Sequence, residues 1–357
     1  GTTGDEGPPI TGEPSLKRRW LYYLLIIVFL AIVVSRFTEA TKLVRTLAAG
    51  QPQWIAVAFL VQAVYYVVFP YMFQSALWTV EIPGRLWDLI PVWFTSVFLN
   101  ITAPSAGMTG AAVFVDDAAR RGYSHARAAA AMVLVLVADY SAFAVLLVAG
   151  MAYLFVTKNL HFYEVLAAAI LMLFILTLSF VLVLGVWRPA ALHRLLVWVH
   201  GRLDALARLL KRPPFVAADW GEKNAIEFTQ AAAAIQAHPL RLARTFAAAM
   251  AAHLLEMTTL YTLTRAFNAQ VHPGVLVAGY AVGILFWVVA VTPSGIGVVE
   301  GIMALVFTTL GVAGEAATLI SLAFRGMTFW LPLLIGFLLL RRTRSFGGGR
   351  AAAEKRG

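Results

Sequence analysis

Four charged side chains stand deep inside apolar stretches of this chain. They are Asp139, Glu256, Glu300 and Arg325, and His253 precedes Glu256 by one helical turn. A charge at the centre of a membrane-spanning helix costs about 2.5–3.5 kcal/mol on insertion scales, so such residues face a partner or a polar path rather than lipid tails. Arg325 demands a counter-charge, for which Glu300 is the first choice and Asp139 the second. Glu300 follows a Pro/Gly break, and at a helix N-terminus the dipole stabilises a carboxylate by about 0.3–1 kcal/mol. It is read either as a helix-starting cap or as half of a buried ion pair. His253 and Glu256 share a helix face at i, i+3, which suits a proton relay and a buried hydrogen-bonded pair equally.

Other chemistry is missing. There is no Gly-rich phosphate loop, no GxSxG elbow and no spaced acidic pair in a soluble loop. The chain has no cysteine, which removes disulfides, thiolate metal sites and Cys nucleophiles. Its 7 histidines show neither HxxxH nor HExxH spacing. No enzyme activity, metal or cofactor is expected. Asp116-Asp117, followed by Arg120-Arg121, reads as the solvated end of a hairpin.

The elements that carry these residues follow from composition. Of 357 residues, 61% are hydrophobic and 13% charged, with a mean hydropathy of +0.79. A soluble domain is about 45–50% apolar and about 25% charged. An ordinary cytosolic enzyme and a disordered chain are both excluded, and an all-α integral membrane protein is expected. Crossing about 30 Å of hydrocarbon takes about 20 helical residues. Long apolar runs at 20–34, 53–80, 126–156, 162–187, 243–266 and 316–340 give six full spans. Two further stretches are broken, one at Asn100 to Gly107 around Pro104-Ser105 and one at Thr292 to Gly297 around Pro293-Ser294. Proline removes a backbone donor and glycine frees the chain, so each break turns or unwinds it. The flanking pieces are too short for comfortable crossings. Two re-entrant helical hairpins are expected, near 88–117 and 274–313.

Charge sets the sides. With the N-terminus inside, 22 of the 28 Lys and Arg fall on the cytoplasmic side: those before the first run, Arg85, Arg120, Arg121, Arg127, those from Arg188 to Arg244, and those after Leu340. Arg36, Lys42, Arg45, Lys158 and Arg265 fall outside, as the positive-inside rule requires. The +10 net charge then suits anionic lipid head groups at the cytoplasmic face, not nucleic acid. The order reads as an inverted-topology repeat, a first unit at 17–157 and a second at 158–340, between a polar tail at 1–16 and a basic cytoplasmic tail at 341–357. In such repeats the interrupted helices meet near the midplane and form the binding site. Asn100, Ser105 and Ser294 in the breaks, with Asp139, His253, Glu256, Glu300 and Arg325, are therefore the expected substrate-binding residues. The alternative is a structural ion pair holding hairpin to span. An insert at 188–242 carries Leu192, Leu195, Leu196, Val199, Leu203, Leu206 and Leu210 on one face, the pattern of an interfacial amphipathic helix.

Several of these segments resemble a known family. They are Leu99-Asn100 with Pro104-Ser105-Ala106-Gly107, Arg120-Arg121-Gly122-Tyr123-Ser124, Ala138-Asp139-Tyr140, Val291 to Glu300 (VTPSGIGVVE), and Phe324-Arg325-Gly326-Met327-Thr328-Phe329-Trp330-Leu331-Pro332. Together they look like the lysylphosphatidylglycerol synthase transmembrane (flippase-like) family, in the form without an aminoacyl-transferase domain. Where many relatives carry an acidic residue and an arginine after the first glycines, this chain has Met108 to Phe114. The resemblance implies a membrane lipid transporter of flippase or scramblase type, acting on a phospholipid or lipid-linked molecule in the cell membrane. A homodimer is left open. The rival readings are a membrane subunit assisting lipid modification or polyprenyl-linked glycosyl transfer, and a small-solute secondary transporter.

Overall fold

The computed structural model describes residues 46–102, 108–188, 233–289 and 297–339, together with 190, 191, 194, 198, 201, 202 and 295. The first expected span, both tails, most of the amphipathic insert, and Ser105 and Ser294 lie outside the described residues. Everything described in regular form is helical. In chain order the helices are α1 (Pro52–Thr79), α2 (Leu86–Thr102), α3 (Met108–Arg120), α4 (His125–Val156), α5 (Phe162–Trp187), α6 (Pro239–Ala266), α7 (Pro273–Val289), α8 (Val298–Thr309), α9 (Gly314–Arg325) and α10 (Leu331–Leu339).

Four helical segments are long and apolar enough to cross a membrane: Pro52–Thr79, His125–Val156, Phe162–Phe180, and Gly314–Leu339, in which α9 and α10 run on from one another. Helix α6, with 28 residues, is long enough but more polar. It starts at Pro239, a turn earlier than the apolar run at 243–266, because Arg241 is used inside the fold. The Arg241 guanidinium donates to the Trp78 carbonyl oxygen at 2.7 Å, and Arg241's own carbonyl accepts from Thr245 at 3.1 Å.

Each broken stretch carries two helices that pack on one another. Helix α2 packs on α3, and α7 on α8. At 1.5 Å per residue the 17 residues of α2 and the 12 of α8 reach only about 25 and 18 Å, short of a bilayer core. Their packing is reciprocal. The first arm of the first pair, α2, lies against α10, while the first arm of the second, α7, lies against α4; α1 and α6 pack together between them.

Helix ends gather on two opposite faces. On one, Arg127 and His238 both approach the Glu81 carboxylate. On the other, the Gln51 side chain bonds Asn268 and the Tyr153 ring stacks on His272. The face near Arg127 carries a correction. Asp116 is half-exposed and pairs with Arg120, but Asp117 is buried and paired with Arg121. The acidic pair is only half solvated, because successive residues of a helix point about 100° apart.

Two buried apolar clusters fill the interior. One joins α1, α2, the start of α4 and α10 around Tyr66, Trp93, Phe94 and Phe98. The other joins the end of α4 with α5, α7, α8 and α9 around Phe143, Tyr280, Phe307 and Phe324.

Candidate functional site

A cavity of about 240 Å³ lies where the two clusters meet. Both broken stretches reach it: Ser96, Asn100 and Gly110 from the first helix pair, Ile284, Trp287 and Val299 from the second. Aromatic and aliphatic side chains make most of the wall, including Tyr65, Phe69, Trp93 and Phe143. The polar residues on the wall are Ser96, Asn100, Asp139, His253, Glu256, Arg325 and Thr328, with Tyr65 and Tyr140.

The tip of the first pair is closed by Asn100. Its Oδ1 accepts the Gly110 backbone N–H at 2.7 Å, tying the end of α2 to the start of α3. Only glycine permits this approach, since a Cβ at position 110 would stand 2.2 Å from Asn100 Nδ2.

At the second tip, Glu300 does two things. One carboxylate oxygen accepts the Gly297 N–H at 2.7 Å, capping α8, and the other accepts from Arg325 Nε at 2.9 Å. The cap and the ion pair are one arrangement. Side-chain exposures of 7% for Arg325 and 15% for Glu300 place the pair mostly out of water. Arg325 also covers the Phe329 ring at 4.7 Å. Arg325 faces the cavity and Glu300 holds it from behind, so an anchored cation sits on the wall.

Just after Arg325 the last long helix widens into a π-turn, Gly326–Trp330. Pro332 lacks the N–H that would bond the Thr328 carbonyl, and its ring crowds that oxygen. The widened turn absorbs the misfit, as π-turns often do at functional positions. The Tyr66 hydroxyl donates to the Met327 carbonyl within it. Thr328, Phe329 and Pro332 all line the cavity.

Asp139, the second choice for Arg325, meets His253 instead. Its carboxylate Oδ1 lies 3.3 Å from His253 Nε2. His253 Nδ1 lies 2.7 Å from the Tyr280 hydroxyl, which donates to Glu256 Oε2 at 2.8 Å. His253 and Glu256 are therefore joined through a tyrosine of α7. Tyr280 was not among the expected residues, because a lone tyrosine in an apolar helix carries no local mark. Of the eight expected residues, six are described; Asn100, Asp139, His253, Glu256 and Arg325 line the cavity, and Glu300 stands behind Arg325.

The outer surface matches a lipid solvent. Along α5, Leu166, Ile170, Leu173, Leu176 and Phe180 are all exposed. Long apolar helices with an apolar exterior, interrupted by two short helix pairs around an interior cavity, define a multi-pass α-helical membrane protein. The family model of the lysylphosphatidylglycerol synthase TM region matches residues 20–336, and the chain belongs to that family. Comparison with curated proteins gives no match.

Proposed function

We propose that this protein moves a phospholipid or lipid-linked molecule between the leaflets of the cell membrane, without itself being an enzyme. The observation that carries this reading is the anchored Arg325 on the wall of a cavity that both interrupted helix pairs bound. A guanidinium held by Glu300 and against the Phe329 ring is a fixed cation on a mostly apolar wall, the kind of charge that attracts a phosphate. The aromatic and aliphatic walls suit the glycerol and upper acyl region, which need no polar partner.

A second cleft, lined by Ala111, Ala112, Val115, Asp116, His125, Ala129 and Met132, shares Ala111 and Met132 with the cavity. It runs between α3 and α4 toward the face where Asp116 and Arg120 stand. In this reading that face is cytoplasmic, in keeping with its arginines, and the two helix pairs are re-entrant hairpins whose tips lie at membrane depth. The reciprocal packing of α2 on α10 and α7 on α4 supports an inverted repeat, the arrangement in which the site sits between the halves.

The test is reconstitution of the full chain in vesicles carrying a head-group-quenchable fluorescent phospholipid and an entrapped soluble dye. Quenching beyond the outer-leaflet fraction, with the dye retained, is expected. Quenching no greater than in protein-free vesicles, for anionic and zwitterionic lipids alike, would overturn the reading.

A further inference from the structure

Three contacts link four ionisable side chains along one wall of the cavity, and three contacts need three hydrogens. His253 Nε2 faces two oxygens of Asp139, the backbone carbonyl at 3.2 Å and the carboxylate Oδ1 at 3.3 Å. His253 Nδ1 faces the Tyr280 hydroxyl at 2.7 Å. The Tyr280 hydroxyl faces Glu256 Oε2 at 2.8 Å. A tyrosine hydroxyl and a neutral imidazole bring two hydrogens between them. The third must be an added proton, whether it rests on the imidazole, on Glu256 or on Asp139. Without it, an imidazole lone pair points at two oxygens, or one of the other contacts is lost, in a place with little water to compensate.

We propose that Asp139, His253, Tyr280 and Glu256 form a proton-binding site in the cavity wall, and that its loading and unloading drive lipid movement against a concentration difference. The second half rests on the lipid-moving reading above; the first does not. The groups facing this site are Tyr65 and Tyr66 from α1, Tyr140 beside Asp139 on α4, and Arg325 from α9 with Glu300 behind it. The Tyr65 and Tyr66 hydroxyls bring their own hydrogens, Tyr66's being given to the Met327 carbonyl, so the count is unchanged.

The site also joins three helices. Asp139 belongs to α4, His253 and Glu256 to α6, and Tyr280 to α7, the first arm of the second helix pair. The bound proton fastens α7 to helices of both halves. Its release to water loosens that join, and its uptake restores it. Asp139 is the member most open to the cavity, with 21% of its side chain exposed against 8% for His253, so it is the entry point.

Two measurements test this with the full chain. First, protons bound between pH 9 and pH 5 are counted for the detergent-purified protein. Wild type should take up one proton per chain more than His253→Gln, and in Tyr280→Phe, which keeps every charge, the same proton should bind only at a lower pH. A His253→Gln count equal to wild type, or an uptake unshifted in Tyr280→Phe, would overturn the site. Second, proteoliposomes with a trace fluorescent phospholipid are held under a gradient of one pH unit. With one proton per lipid, the label should approach a tenfold ratio between leaflets, reversing with the gradient. The variants should relax that ratio to even. Wild-type lipid movement to an even distribution under the gradient would overturn the coupling. No lipid movement together with an intact one-proton difference would instead leave the site standing and refute the lipid-moving reading.

Discussion

Arg325 and Glu300 show how one ion pair serves both structure and site. The carboxylate caps α8 and holds the guanidinium, and the guanidinium faces the cavity. Removing either side chain takes the ion-pair partner from a buried charge, so Glu300→Gln or Arg325→Met should each lower stability by about 3–5 kcal/mol. Thermal denaturation in detergent reads this, and the double change should recover much of the loss. Losses that simply add in the double variant would mean the two side chains do not act as a pair. Asn100 and Gly110 give a second case: Gly110→Ala drives a Cβ into the Asn100 amide and should cost about 1–3 kcal/mol by overpacking. An unchanged melting temperature would contradict the closed tip. At this scale the sequence was legible where a residue's type was out of place. A lone arginine in an apolar run has few partners to choose from, and Glu300 was read correctly. Tyr280 escaped because its partners are 24 and 27 positions away and only packing brings them together. Asp117 was misread because adjacency in sequence hides the turn of the helix.

Between elements, close main-chain contact decides the geometry. Helices α2 and α10 approach so closely that a Cβ on Gly336 would lie 2.2 Å from the Phe94 carbonyl oxygen. A main-chain atom within a helix cannot swing aside, so Gly336→Ala must push the helices apart. A loss of about 1–3 kcal/mol is expected, read again by thermal denaturation, and a neutral result would mean that α10 does not lie against α2. The interruptions expected at 100–107 and 292–297 were legible because proline and glycine signal a break without help from tertiary structure; the helix before the first runs on to Thr102. The π-turn was not foreseen, although Pro332 was its signal. Neither was the first turn of α6, since Arg241 resembles a loop residue until its bond to Trp78 is seen.

Across the whole molecule, the basic residues and the helix ends agree on two faces. Arg120, Arg121 and Arg127 gather near Glu81 and His238, opposite Gln51, Asn268 and His272. In the proposed orientation, single cysteines at Gly122 should label only from the cytoplasmic side, and those at Asn159 and Asn268 only from outside. Labelling of Gly122→Cys and Asn268→Cys from the same side would contradict it. The claim that most needs testing is that the cavity carries the head group past Arg325. The direct measurement is transbilayer movement of a fluorescent phospholipid in proteoliposomes containing the Glu300→Gln, Arg325→Met double variant, with its thermal stability measured alongside. The expected result is a folded protein that moves lipid at the protein-free rate. A folded double variant that moves lipid as fast as wild type would contradict a head-group path past Arg325 and leave the pair a purely architectural role.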